Sequence, residues 1–162
     1  MGRLDHVHIV VPDVAVAAAW YSTNLGFEAV DEYEFWALGV PGGPLQISAD
    51  GGATGLALFG ARDGEPIVPQ RVAFSVDAEV FVAFGRSLPG EIGGSDGAPL
   101  EPGDLVDFDL CFAYDLVDPW GHQYELNCYD HDLVQAELID ADGIVANRKW
   151  PSELHREYRN RS

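Results

Sequence analysis

One local pattern occurs twice in the chain, and it constrains the fold more than any other feature. LDHVHIVVPDV (4–14) alternates polar and apolar side chains, then passes Pro12 and Asp13 into the helical stretch VAVAAAWYSTN, which Gly26 stops. RVAFSVD (71–77) alternates in the same way and passes into a helix over AEVFVAFGRSL (78–88). Three strand-like pieces follow the first helix: FEAVDEYEFWALGV (27–40), PLQISA (44–49) and TGLALFG (54–60). A poorly marked short strand and a hairpin, DFDLCFAYDLV (107–117) with QYELNCYD (123–130), follow the second. Each half reads β-α-β-β-β, which predicts an α+β fold of two such modules. Residues 1–60 make the first module, 61–70 (ARDGEPIVPQ) a linker and 71–130 the second module. The tail, 131–162, carries a short helix over SELHREY (152–158), and the Gly-rich stretch 89–104 reads as a mobile loop.

A period of two fixes which side chains share a strand face. Leu4, His6, His8 and Val10 lie on one face of the first strand, and Asp5, Val7, Ile9 and Val11 on the other. Arg71, Ala73 and Ser75 oppose the apolar Val72, Phe74 and Val76. In VDPWGHQYEL (117–126) and the residues after it, Gln123, Glu125 and Asn127 oppose Tyr124, Leu126 and Cys128. If Val117 pairs with His122 across the DPWG turn, Tyr114 faces Glu125 and could hydrogen-bond to it. The same register makes Cys111 and Cys128 cross-strand neighbours; two cysteines are no disulfide framework, and both are expected as buried thiols.

Charge decides which partners are excluded. There are 27 acidic against 9 basic residues, formally -18, and Lys149 is the only lysine. Such a surface repels nucleic acid and anionic membranes. It fits either salt adaptation or an ordinary acidic protein. Five of the nine basic residues fall after position 147, so the tail is locally basic and suited to docking on its own domain or a second subunit. No apolar run approaches the roughly 20 residues of a bilayer span, and the first residues go straight into a strand pattern, so a cytoplasmic protein without an export signal is expected.

Four stretches in order resemble the vicinal oxygen chelate superfamily of glyoxalases, bleomycin resistance proteins and extradiol dioxygenases. LDHVHIVVPDV resembles its opening strand, WYSTNLGFEAV the helix ending in "Y…LGF", RVAFSVD the "HIAFxVD" strand and VDPWGHQYEL the "DPxGxxxEL" close. The resemblance spans about residues 3 to 129. It implies that the paired modules form a curved mixed-sheet cup holding a divalent metal, in a homodimer acting on a small molecule. The superfamily's ligand positions map onto His6, Ala57, Arg71 and Glu125. The three-ligand dioxygenase pattern uses His, His and Glu at the first, third and fourth of these, so His6 and Glu125 match and Arg71 departs.

Two chemistries follow. In the first, His6 and Glu125 hold a divalent ion, Fe(II) or Mn(II) in preference to Zn(II), and His8, on the same face as His6, completes the set. The enzyme would then be dioxygenase- or lyase-like, acting on a small carbonyl or aromatic compound, with Arg71 and Tyr114 beside Glu125. In the second, Arg71 replaces the ion. A guanidinium has no lone pair for a metal and pairs with carboxylates, so the protein would be a metal-free binding or resistance-type module with an Arg71–Glu125 pair. Trp36, Phe59, Phe74 and Phe112 are candidates for an apolar pocket or for the core, Gln46 and Gln70 are candidate amide ligands, and His122 is expected to be structural.

Overall fold

The computed structural model describes Gly2 and residues 4–148; the helix expected over 152–158 lies outside the described residues. The chain divides into two compact units, Met1–Gln70 and Arg71–Ser162.

The first unit runs β1 (His6–Val11), α1 (Val14–Leu25), β2 (Glu28–Ala29), α2 (Glu34–Gly39), β3 (Leu45–Ser48) and β4 (Gly55–Gly60). Its mixed sheet has the order β1-β4-β3-β2, with β1 parallel to β4 and the other pairs antiparallel. The α1 boundaries follow from their caps. The Asp13 carboxylate accepts from the Ala15 and Val16 amides, and Gly26, at φ 68°, takes the left-handed conformation that lets its own amide reach back to the Ser22 and Tyr21 carbonyls. Ile9, Val11, Leu56, Leu58 and Ile47 share one sheet face and are buried with Ala17 and Tyr21 of α1. Each of these Ile, Val and Leu side chains stabilises the fold by about 1.5–3 kcal/mol relative to exposure.

The second unit runs β5 (Arg71–Ser75), α3 (Ala78–Ser87), β6 (Gly93–Gly94), β7 (Val106–Asp107), β8 (Phe112–Val117), β9 (Gln123–Cys128), α4 (His131–Val134) and β10 (Asn147–Arg148). The strand order is β10-β7-β8-β9-β5, with β6 paired to β8. β5 is parallel to β9 and β10 to β7, while β7, β8 and β9 are antiparallel neighbours. Phe81 and Phe84 of α3 meet Tyr114 at ring-centroid distances of 5.3 and 5.6 Å. The fold is therefore α+β, with one mixed sheet in each unit and no closed barrel among the described residues.

Three expectations change, and one segment for which none was stated proves helical. Within 27–40 only Glu28–Ala29 is strand; Asp31–Tyr33 is a 3-10 turn that leads into α2. Asp31, Glu32 and Glu34 sit in these first turns, where the helix dipole favours carboxylates, and Leu38 and Ala37 are good helix formers. The Gly-rich 89–104 stretch is anchored: Ile92 and Leu100 are buried, the Leu100 amide donates to the Ile92 carbonyl at 2.8 Å, and Gly93–Gly94 pairs with β8. The strand expected from 107 begins at Phe112, because Asp107 to Cys111 make a turn with Asp109 at φ 70°. The segment after β9 is helical, α4 continuing as a π-helix over Gln135–Ala141. Arg86 of α3 fastens it through Glu137 at 2.9 Å and Asp142 at 2.6 Å.

Candidate functional site

In the first unit, His6 and His8 project from the β1 face opposite α1, because Val7, Ile9 and Val11 take the helix-covered one. His8 is in register with Ala57 of β4, and Ala57 with Gln46 of β3, so the three make one row across the sheet. The ring of Phe59 lies 4.8 Å from that of His8. The two imidazoles are stacked, with 7° between their planes, and their Nε2 atoms are 3.1 Å apart. At the other end of the His6 ring, Nδ1 lies 2.6 Å from Asp5 Oδ2. Alternation had put Asp5 on the opposite face. Asp5 precedes the strand, which begins at His6, and its side chain turns back to the His6 ring instead.

In the second unit, the β5–β9 ladder pairs Arg71 with Gln123, Ala73 with Glu125 and Ser75 with Asn127. All share the face opposite α3, so Arg71 and Glu125 lie on one face, two residues apart in register. Arg71 is exposed and Glu125 half-buried. The ion pairs of arginines among the described residues are those of Arg86 and Arg148; none joins Arg71 to Glu125.

The register of the β8–β9 hairpin differs by one residue from the expectation. Val117 pairs with Gln123, so Asp115, not Tyr114, stands opposite Glu125. The turn causes the shift. Asp118 and His122 close the ladder, the Asp118 carboxylate accepts from the Trp120 and His122 amides at 2.9 and 2.8 Å, and Gly121 supplies the left-handed residue at φ 94°. A three-residue loop replaces the expected four, and a one-residue slip moves every partner to the other face. Tyr114 therefore lies on the helix-covered face, fully buried, and its hydroxyl donates to the Pro102 carbonyl at 3.0 Å. Burial, and then the nearby Asp104 charge, push its phenol well above the usual value. The tyrosine is a packing residue and does not meet Glu125.

The same slip separates the cysteines. Cys128 pairs with Phe112, while Cys111 falls before β8 and its thiol donates to Asn127 Oδ1 at 3.6 Å. Both are free and buried, as expected, and burial raises both thiols; the Glu125 charge adds to the shift at Cys111. His122 is fully buried and belongs to the turn. Of the aromatic candidates, Phe59 touches a site residue, His8. Trp36 stacks on Tyr33 at 5.0 Å, Phe74 lies beside Tyr124 at 6.1 Å on the helix side, and Phe112 is buried under His131 at 4.4 Å. Gln46 is buried in the His8 row, and Gln70 donates to the Val68 carbonyl.

Two residues that sequence reasoning missed now belong to the candidate site. Asp5 escaped because strict alternation was carried one residue too far. Asp115 escaped because the loop length was misjudged; the Asp118 side chain, a turn-forming residue followed by a glycine three positions on, was the available signal.

As a donor set, His6 and His8 can supply two ligands to one ion. Metal–imidazole bonds of about 2.0–2.1 Å, set 90–110° apart, place two nitrogens about 2.9–3.4 Å from each other. The observed Nε2 separation of 3.1 Å falls in that range. Among the described residues no group of three His, Cys, Asp or Glu side chains is assembled for a metal, so the pair needs donors from outside it. On the second sheet, Glu125 and Asp115 are carboxylates on directly opposed positions. Like charges so placed repel each other across a ladder.

The family model of the Glyoxalase/Bleomycin resistance protein/Dioxygenase superfamily matches residues 3–86, just over half of the chain. The chain belongs to this superfamily. Among solved structures, it is similar to the oxidase ChaP-H1, with 25% identity and a TM-score of 0.57 over 79% of this chain and 96% of that one. The oxidase ChaP-H2 shares 24% identity at TM-score 0.57, covering 78% and 93%. TnmS3, an antibiotic-binding protein from Streptomyces sp. CB03234, shares 19% identity at TM-score 0.57, covering 80% and 98%. No curated protein sequence matches. Proteins described as oxidases and as an antibiotic binder thus share this fold, and activity has to be argued from the residues. No helix of the described residues is long and apolar enough to cross a membrane.

Proposed function

We propose that the chain is a divalent-metal-dependent enzyme of this superfamily that acts on a small carbonyl or aromatic compound. His6 and Glu125 occupy the superfamily's ligand positions, and His8, on the same strand face as His6, is the further imidazole donor. The observation that carries this reading is the His6–His8 pair, whose Nε2 atoms lie 3.1 Å apart on the polar sheet face. Two imidazoles and a carboxylate, with further positions open, are the donor set of non-haem Fe(II) sites, and the carboxylate oxygen also suits Mn(II). When bound, the ion supplies a Lewis acid that polarises a substrate oxygen. The chain's own residues do the rest. Arg71, exposed and permanently charged, holds an anionic substrate oxygen through its guanidinium fork. Phe59, against His8, offers an apolar surface to a ring or methyl group. The likeness to ChaP-H1, described as an oxidase, supports an oxygen-dependent reaction.

A second reading rests on Arg71 itself. With a guanidinium where the superfamily places an imidazole, on the same sheet face as Glu125, the second sheet already carries a fixed positive charge for that carboxylate. The protein would then be a metal-free module that binds a small molecule.

Metal content decides between the two. Protein loaded anaerobically with Fe(II) or Mn(II) and desalted is expected to retain about one ion per chain, and His6→Ala and Glu125→Ala to lose it. Arg71→His is expected to tighten retention by about tenfold or more, by adding a third imidazole. Retention that survives Glu125→Ala would remove Glu125 from the ligand set. No retention in any loading overturns the metal reading and leaves the binding module, for which ligand-induced shifts in melting temperature are the assay.

A further inference from the structure

Asp5 has no assigned role, yet it holds one end of a polar chain in the first unit: Asp5 Oδ2, His6 Nδ1, His6 Nε2, His8 Nε2, with spacings of 2.6 and 3.1 Å between residues. We propose that Asp5 is a positioning residue that fixes His6 in the Nδ1–H tautomer, so that its Nε2 lone pair is presented on the polar sheet face. The proposal deepens the reading above, on which the metal consequence of that tautomer rests.

A carboxylate can only accept, so a hydrogen bond between Asp5 and Nδ1 requires the proton on Nδ1. The neutral ring then has a bare Nε2. Donating the far N–H of a ligating imidazole to a carboxylate fixes ring orientation and raises the basicity of the ligating nitrogen. The Asp5 side chain is largely exposed, at 82%, which would ordinarily make an ion pair weak. Two facts offset that. The partners are adjacent in sequence, so little chain entropy is lost in bringing them together, and 2.6 Å is at the short end for a charge-assisted bond. The Asp5 backbone is also held, its carbonyl accepting from the Gly55 amide at 3.1 Å, so the side chain starts from a fixed point.

His8 marks the contrast. Its hydrogen bond among the described residues is to His6 Nε2, and no carboxylate selects its tautomer. With His6 as Nδ1–H, His8 must donate its Nε2 proton to the bare nitrogen in the metal-free protein, and shift that proton to Nδ1 before it can ligate. The two imidazoles are therefore unequal: His6 is set in advance, and His8 must change tautomer.

The test reads the tautomer directly, by long-range ¹H–¹⁵N correlation of the ring nitrogens in metal-free protein, with His6 assigned from a His6→Gln variant. Wild type is expected to show His6 protonated at Nδ1 and bare at Nε2. Asp5→Asn, whose amide can donate to Nδ1 instead, is expected to shift the population toward Nε2–H, and Asp5→Glu to restore the original signature. In parallel, Co(II) titrated against its visible ligand-field absorption is expected to bind about 10–100-fold more weakly to Asp5→Asn than to wild type. An Nε2–H tautomer in wild type, or a tautomer that Asp5→Asn leaves unchanged, overturns the proposal. If wild type takes up no Co(II), the metal reading fails on its own, while the ring-nitrogen spectra still decide for or against Asp5.

Discussion

Tyr114 illustrates how much a single residue's register matters. Its hydroxyl is buried on the α3 side of the sheet and donates to the Pro102 carbonyl, whereas its neighbour Asp115 stands opposite Glu125. Tyr114→Phe therefore removes one buried hydrogen bond and leaves the carbonyl of Pro102 with the Leu105 amide, 3.4 Å away, as its donor. The expected cost is about 1 kcal/mol of stability, measured by denaturant unfolding, with metal retention and ligand binding unchanged. A loss of binding without a loss of stability would return the tyrosine to the site and contradict the observed register. Arg71 is the opposite case, because its face was read correctly. The face follows from strict alternation of RVAFSV along a strand that does begin at residue 71, and there is no turn within it to miscount.

At the scale of elements, the packing of α3 carries a test of its own. A methyl group on Gly85 would meet the Tyr114 hydroxyl at 3.0 Å and Leu138 Cδ1 at 3.1 Å, from the sheet on one side and the π-helix on the other. Gly85→Ala gains about 1 kcal/mol of helix propensity but meets a core that cannot give, since the hydroxyl is held by Pro102 and Leu138 is fully buried. Overpacking costs about 1–3 kcal/mol, so the net change should be destabilising. In the double variant with Tyr114→Phe the oxygen is gone, and the two costs should fall short of additive; strict additivity would show that the contact is not shared. The elements themselves were largely legible, for local reasons. Asp13 and Gly26 bounded α1 because caps are written in single residues, and the apolar faces of β1, β5 and β9 followed from alternation. What failed depended on information beyond a short window. The helix at 34–39 was hidden in a run that also suits a strand, and the π-helix after β9 is held by Arg86, more than fifty residues earlier in the chain. In the candidate site, the strand faces of His6, Arg71 and Glu125 were readable from alternation. Asp5 and Asp115 were not, because each turns on where a strand or its loop starts.

Over the whole molecule the governing quantity is charge. Against 27 acidic groups the chain has 9 basic ones, and the described arginines are partly committed: Arg86 to Glu137 and Asp142, Arg148 to Asp107 and Asp109. Two effects of salt then oppose each other. Screening weakens these exposed ion pairs, and it also weakens the repulsion among the carboxylates that no cation offsets. The second group is much the larger, and the formal charge of -18 leaves the folded state under net self-repulsion. Screening lengths fall from about 10 Å at 0.1 M to about 3 Å at 1 M, so most of that repulsion should vanish over the range. The melting temperature is accordingly expected to climb between low and molar KCl, with most of the gain below 1 M. Sodium sulfate provides the control, because it also strengthens apolar burial by exclusion from the surface. A rise in both salts, already large in KCl, supports charge screening. A rise in sulfate with a flat KCl profile would mean that the acidic surface is well tolerated at low salt, and the idea of salt adaptation would fall.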